Sequence, residues 1–240
     1  MVSVRFLGVG DASQHGLGHA SAVVELDNNQ QLLIDCGPGV LSAFMQQYKC
    51  LPAAVFITHC HLDHIADFEK LFIKSWFQTP GQHRPLVFVP VSIIPLLHER
   101  VGTYPDALAE GSVNFWQAFQ LIPVSSSFEY GGHKFEVTPA RHHGLNSAFS
   151  LYLPDIFFYS GDTRPIPEII EEYVSEGTLI FHDCSIVGNP SHTGIEDLKR
   201  EYSEQTQQRI RVYHYNSAEQ RLTFDASGLQ SIEAGELFTF

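Results

Sequence analysis

The stretch Thr58-His59-Cys60-His61-Leu62-Asp63-His64 constrains this chain more than any other. Four side chains able to bind a metal crowd together directly after the apolar run Ala53–Ile57. The β-branched and aromatic residues of that run read as a buried strand. Beyond the motif, Ile65, Phe68, Leu71, Phe72 and Trp76 recur at helical spacing, so a helix is expected to run to about Phe77. The motif therefore lies on a strand-to-helix turn. In its extended part His59 and His61 point one way and Cys60 the other, because side chains alternate along a strand. Asp63 and His64 fall at the helix start and aim from a different angle. Two histidines can hold one ion while an Asp and a third His hold a neighbour.

Composition narrows what such a site could serve. At 240 residues, 44% hydrophobic and 17% charged, the chain suits an ordinary globular protein, and one domain over residues 1–240 is expected. No apolar stretch approaches membrane-spanning length, so no membrane is expected as a partner. The N-terminus lacks the pattern of a signal peptide, and Cys36, Cys50, Cys60 and Cys184 form no CxxC pair. Reduced thiols in a cytoplasm are the expectation. The net charge of −13, with no basic run, argues against a long nucleic acid, which is held by many Lys and Arg. A compact phosphorylated substrate stays open, because bound divalent cations invert the local field.

Read in order, Val2–Leu7 alternates as a half-buried strand, and Gly8–Gly18 is a Gly-containing loop near which His15 and His19 could face a site or water. Two strands flank the turn Asp27–Gln30, and Val40–Tyr48 reads as a helix. Pro85–Pro90 is expected as a strand and Ile93–Val101 as a helix. Strands are expected at Phe119–Val124, Ser127–Tyr130, His133–Pro139, Ser147–Leu153 and Ile156–Ser160. Helices over Pro165–Val174 and Ile195–Gln207 alternate with strands over Leu179–Cys184 and Arg209–Tyr215. Leu222–Phe224 and Leu237–Phe240 suggest a terminal hairpin or edge strand. A run of strands, then strands alternating with helices, occurs twice. Two mixed sheets face to face with helices outside would absorb that order.

If the site sits along one edge of those sheets, later strands should end in ligands. Arg141-His142-His143-Gly144 follows the strand ending at Pro139. Tyr159-Ser160-Gly161-Asp162-Thr163 follows another, and one carboxylate there could bridge two ions. Val212-Tyr213-His214-Tyr215 places a histidine at the end of a third.

His59-x-His61-x-Asp63-His64, then His143, Asp162 and His214 in that order, resembles the metallo-β-lactamase fold superfamily, as do Leu33-Ile34-Asp35-Cys36-Gly37 and Tyr159–Thr163. The resemblance implies an α/β fold, a four-layer αββα sandwich, with a dinuclear centre of two divalent ions, usually zinc and sometimes manganese or iron. His59, His61 and His143 would hold one ion, and Asp63, His64 and His214 the other, with Asp162 bridging. Either His142 or His143 could fill the third place. His143, followed four residues later by Ser147, resembles the ribonuclease Z-like branch and is favoured, its neighbour lying behind. Asp35 resembles the strand-end Asp that orients a ligand histidine, and it could equally be a turn-former before Gly37-Pro38-Gly39.

His61 is Glu in flavodiiron relatives, and Asp162 is Cys in lactam-cleaving ones, so the resemblance points to small phosphodiesterases of the ribonuclease Z-like branch. The short stretch from His143 to Asp162 leaves no room for the tRNA-binding arm of that branch. His182-Asp183-Cys184-Ser185 and His192-Thr193 are partial counterparts of two further motifs of that branch. The expected reaction is in-line attack of a bridging hydroxide on a small phosphodiester or cyclic nucleotide. Asp63 could steer the proton of the nucleophile, and His192, oriented by Asp183, is the candidate general acid, while His182 reads as strand packing. A carboxylic ester, lactone or thioester hydrolase using the same centre is the alternative, since fold alone does not choose. Small relatives of the branch make a homodimer conceivable.

Overall fold

The first strand, β1 (Ser3–Gly8), buries Val4, Phe6 and Gly8 and turns Ser3, Arg5 and Leu7 outward, the period-two pattern of a sheet with one covered face. In the computed structural model, which describes residues 1–78, 84–103 and 114–240, Phe6 reaches across to a second sheet. Its ring lies 5.0 Å from that of Phe181 and 5.7 Å from that of Tyr213. Farther along the interface Phe128 stacks on Phe88 at 4.1 Å and on Phe56 at 5.7 Å. These rings interdigitate between two facing sheets, which is how a sandwich core closes.

One sheet holds β1, β2 (Ser21–Glu25), β3 (Gln31–Ile34), β4 (Ala54–Phe56), β5 (Leu86–Pro90) and β6 (Gln120–Val124). The other holds β7 (Ser127–Tyr130), β8 (His133–Pro139), β9 (Phe149–Leu153), β10 (Phe157–Tyr159), β11 (Leu179–Asp183), β12 (Ile210–Tyr213) and β13 (Gln230–Ser231). The last strand, β14 (Leu237–Thr239), returns to the edge of the first sheet beside β1. Each sheet is mixed. Antiparallel pairing from β14 to β3 gives way to parallel pairing from β3 to β6. Antiparallel pairing from β7 to β10 gives way to parallel pairing from β10 to β13. This is the α/β sandwich of two mixed sheets with helices expected from the element order. Parallel strands β4, β10, β11 and β12 all end at one rim, so the loops that follow them are brought together there.

Helices hold that rim in place. Between β3 and α1 (Val40–Tyr48), the chain passes so close to the metal motif that a Cβ on Gly37 would lie 1.5 Å from the carbonyl oxygen of Asp63. The Cys36 amide donates to the His64 carbonyl at 2.7 Å in the same place. Gly39, which starts α1, has no side chain to cap it. The buried Asp67 carboxylate caps it instead, accepting from the amides of Gly39 and Leu41.

Several elements differ from expectation. The helix after the motif is α2 (Leu62–Ile65), then α3 (Phe68–Ile73), then a wider π-type turn over Lys74–Gln78. The segment expected as one helix to Gln207 divides at Ser203, whose hydroxyl caps a second helix, Glu204–Arg209. Only Pro167–Ile170 is helical within 165–174. Leu222–Phe224 lies in a helix, Gln220–Ala226, with Phe224 packed on Tyr215 at 5.6 Å, so only Leu237–Thr239 keeps the edge-strand role. Among the described residues no helix is long and apolar enough to cross a membrane.

Glu25 ties three elements together, accepting from Tyr48 Oη at 2.6 Å, Ser3 Oγ at 2.8 Å and Arg5 Nε at 3.1 Å. Partial burial pushes its carboxyl up, but these donors more than reverse that and hold it below the usual carboxylate value. A depressed folded pKa stabilises above the unfolded pKa and is lost as the pH falls through the folded one. Urea unfolding of Glu25→Gln is therefore expected to show a loss of about 1 kcal/mol at pH 7 that vanishes in acid, below the carboxylate range. A loss independent of pH would mean that packing, not charge, is at work.

Candidate dinuclear metal centre

Two groups of donor atoms meet at the shared rim. One comprises His59, His61, His142 and Asp162, the other Asp63, His64, Asp162 and His214, and within each group the donor atoms lie within 4.8 Å of one another. Asp162 belongs to both. Its Oδ2 lies 3.5 Å from His59 Nε2, 3.3 Å from His64 Nε2, 3.4 Å from His214 Nε2 and 3.8 Å from His142 Nε2. Each arm arrives as its strand dictates: His59 and His61 after β4, Asp63 and His64 in α2, Asp162 after β10, and His214 after β12. Cys60 points away, with its thiol against the Ile93 carbonyl.

The chemistry of these donors fits a divalent cation. His59 Nε2, His214 Nε2 and both Asp162 oxygens are buried without a hydrogen-bond partner, in a protein interior where such atoms are normally satisfied. Imidazole nitrogens and carboxylates are the ligands that zinc and its neighbours take. Burial and the neighbouring histidine His64 hold His59 well below the usual histidine pKa, and burial together with His142 and His143 lowers His61 to about 4. Both are thus neutral, with lone pairs free. Burial would also depress His64 and His214, but the Asp162 carboxylate, helped by Asp35 at the former and Asp183 at the latter, raises both. Asp162 itself is held far below its ordinary value, since His214, His64 and His59 outweigh its burial.

Partners behind the donors fix their orientation. His64 Nδ1 donates to Asp35 Oδ2 at 2.8 Å, leaving Nε2 aimed inward. His214 Nδ1 stands 3.4 Å from Asp183 Oδ1. Asp35 and His214 both hold positive φ, 61° and 69°, a costly conformation for residues with a Cβ.

The structure departs from the sequence expectation at the third histidine. His142, not His143, enters the first group. The loop closes through the Ala140 amide on the Ala148 carbonyl, and both of its histidines reach His61, one from inside and one from the surface. His142 turns inward, buried, with Nδ1 donating to the Ser191 carbonyl at 2.9 Å and Nε2 3.1 Å from His61 Nδ1. His143 stays exposed, and its Nε2 meets the outer nitrogen of His61 at 2.7 Å. The resemblance favours His143, whereas the backbone path of this loop brings His142 into the donor group.

His192 and Asp183, also singled out from sequence, stand beside the two groups. His192 Nδ1 donates to Asp183 Oδ2 at 2.8 Å, and the two rings His192 and His214 lie parallel at 5.0 Å. Asp183, His192 and His214 are close enough to form a third donor cluster. Burial lowers His192, but Asp183 more than reverses this and raises it above the usual histidine value. His182 is bound elsewhere, between the Asp183 carbonyl and the Tyr202 hydroxyl. A cavity of about 310 Å3 opens onto the centre, lined by His61, Asp63, Asp162, His192 and His214 on one side and by Asp11, Ser13, Ser185 and Asn189 on the other. Asp11 and Ser13 come from the Gly8–Gly18 loop and Ser185 from the segment after His182, whereas Asn189 carries no motif that a sequence displays. His15 and His19 do not line it.

His142→Ala is expected to lower metal content, measured by elemental analysis after dialysis, from two ions towards one. His143→Ala should keep both ions bound. The reverse outcome would restore His143 as the ligand.

Comparison with known proteins agrees with this architecture. The model of the family described as anti-Pycsar protein Apyc1 matches residues 2–238. The anti-Pycsar protein Apyc1 of Paenibacillus harenae is 28% identical over 221 residues, covering 88% of this chain and 89% of that protein. That of Bacillus phage 010DV004 is 28% identical over 234 residues, covering 89% of each. Among solved structures, the metallo-β-lactamase fold protein YhfI from Bacillus subtilis superposes with a TM-score of 0.78 at 16% identity, covering 99% of this chain and 98% of that one. A diphosphatase of the PhnP family gives 0.75 at 17% identity, covering 100% and 98%, and the short form of human tRNase Z gives 0.69 at 15%, covering 99% and 98%. The fold is thus that of the metallo-β-lactamases, and the chain belongs to the anti-Pycsar protein Apyc1 family.

Proposed function

We propose that the chain is a metal-dependent phosphodiesterase that opens a small phosphodiester, with a cyclic nucleotide as the favoured substrate. The observation that carries this reading is His192, held from behind by the buried Asp183, on the wall of the same cavity as the shared carboxylate of Asp162. Expulsion of an alkoxide from phosphorus needs a proton, and a histidine raised by a buried carboxylate can deliver one near neutral pH. Nδ1 of His192 is held by Asp183, so the proton to be transferred sits on Nε2.

His59, His61, His142 and Asp162 would hold one divalent ion, zinc by preference with manganese or iron as alternatives, and Asp63, His64, His214 and Asp162 the other. Such ions supply Lewis acidity towards a phosphoryl oxygen and activation of a water. The chain's own residues do the rest. Asp63 lines the cavity and is kept ionised by the imidazoles of His214 and His64, which outweigh its burial, so it can orient the attacking water by accepting its hydrogen bond. His192 gives a proton to the departing oxygen. Ser13, Ser185 and Asn189 offer hydrogen bonds to the part of the substrate that does not react.

Substrate size and charge follow from the same features. The cavity lies at the small end of ligand clefts, and a net charge of −13 disfavours a long polyanion. The name anti-Pycsar borne by the curated relatives is compatible with a small signalling substrate but does not by itself specify one.

The test is hydrolysis of bis-p-nitrophenyl phosphate beside p-nitrophenyl acetate by manganese- and zinc-loaded protein, followed by 3′,5′-cyclic nucleotides. Diester turnover that vanishes in His61→Ala is expected. His192→Ala should lower kcat on a cyclic nucleotide by about 10²–10⁴-fold. It should lower kcat on the p-nitrophenyl diester far less, because that leaving group needs no proton. Turnover of the acetate alone would move the chain to the ester, lactone or thioester hydrolases.

A further inference from the structure

Asp35 is buried, held at a positive φ of 61°, and receives three hydrogens. The amide of Thr58 donates to Oδ1 at 2.8 Å. Both the Thr58 hydroxyl, at 2.7 Å, and His64 Nδ1, at 2.8 Å, donate to the same oxygen, Oδ2. Thr58 Oγ1 in turn lies 3.0 Å from His59 Nδ1. Since the single hydroxyl proton is used on Asp35, the oxygen must accept from His59, which fixes His59 with its hydrogen on Nδ1 and its lone pair on Nε2. That lone pair is the buried, unpartnered atom facing Asp162. One carboxylate oxygen therefore stands behind a histidine of each donor group, directly for His64 and through one hydroxyl for His59.

We propose that Thr58 is a positioning residue that sets the tautomer of His59 and, by sharing Asp35 Oδ2 with His64, links the two metal-binding groups. This rests on the reading of the rim as a two-ion centre. Thr58 touches neither ion nor substrate in this scheme. Its hydroxyl keeps the imidazole in the one tautomer that can ligate and holds the ring in plane with its target. Valine has the shape of threonine without the hydroxyl, so Thr58→Val removes the relay while leaving both backbone bonds, to Asp35 Oδ1 and from the Phe149 amide, intact. In that variant Asp35 Oδ2 serves His64 alone. The first group is weakened and the second is not.

The experiment is calorimetric titration of metal-free protein with Mn2+ and with Zn2+, paired with cobalt absorption spectra, on the natural chain, Thr58→Val and Thr58→Ser. Thr58→Val is expected to bind one ion about 10–100-fold more weakly and the other unchanged, with Thr58→Ser restoring the first. A Thr58→Val chain that binds both ions as the natural chain does, or loses both in step with a fall in Tm, overturns the relay and leaves Thr58 a packing residue. If Thr58→Val does not fold, Thr58→Ala beside Thr58→Ser decides: a selective loss at one site in the first that is absent in the second supports the hydroxyl, and equal affinities in the two overturn it. A natural chain that takes up neither ion refutes the two-ion centre itself, and the relay with it.

Discussion

A carboxylate enclosed by imidazoles, with neither oxygen accepting a hydrogen bond, is the constraint on which the structure turns. Asp162 is buried, faces His59, His64, His142 and His214, and is held ionised chiefly by His214 and His64. Burying an unpaired carboxylate costs several kcal/mol unless opposite charge is brought to it. Four of the loops at the rim are shaped to that end. The strained backbones of Asp35 and His214 and the close approach at Gly37 serve the same convergence, each sacrificing local comfort for the aim of one side chain.

The sandwich supplies the means. Because β4, β10, β11 and β12 are parallel members of two facing sheets, their carboxyl ends share a rim, and residues distant in sequence become neighbours there. Aromatic rings such as Phe6, Phe128 and Tyr213 pack the two sheets face to face beneath the rim. Distances of 3.3–3.8 Å around Asp162 are held by the core beneath them rather than by the loops alone.

Much of this could be read from the chain. His59, His61, Asp63 and His64 occupy one strand-to-helix turn, where spacing alone dictates two directions of aim. Asp162 and His214 follow apolar strands, and a ligand at a strand end is a pattern that sequence displays. His142 against His143 was not legible, because adjacent residues in a loop differ only in which way the backbone faces. That direction is set by a bond between distant segments, from the Ala140 amide to the Ala148 carbonyl, and by the anchor on Ser191. The helix Gln220–Ala226 was missed for a related reason. Leu222-Thr223-Phe224 has strand-like composition, and the pocket that takes Phe224 beside Tyr215 overrides it. Thr58 gave no sequence signal, since its part depends on a hydroxyl lying between two groups from separate strands.

The hydrogen bond from His142 to the Ser191 carbonyl reaches further than the ring it orients. Ser191 belongs to the segment Asn189–His192, which Asn189 gathers by accepting from the amides of both Ser191 and His192. His142 of the first group and His192 on the cavity wall are thus tied to one short segment. A shift of that segment would carry both imidazoles with it, so neither ring could be re-aimed from there alone.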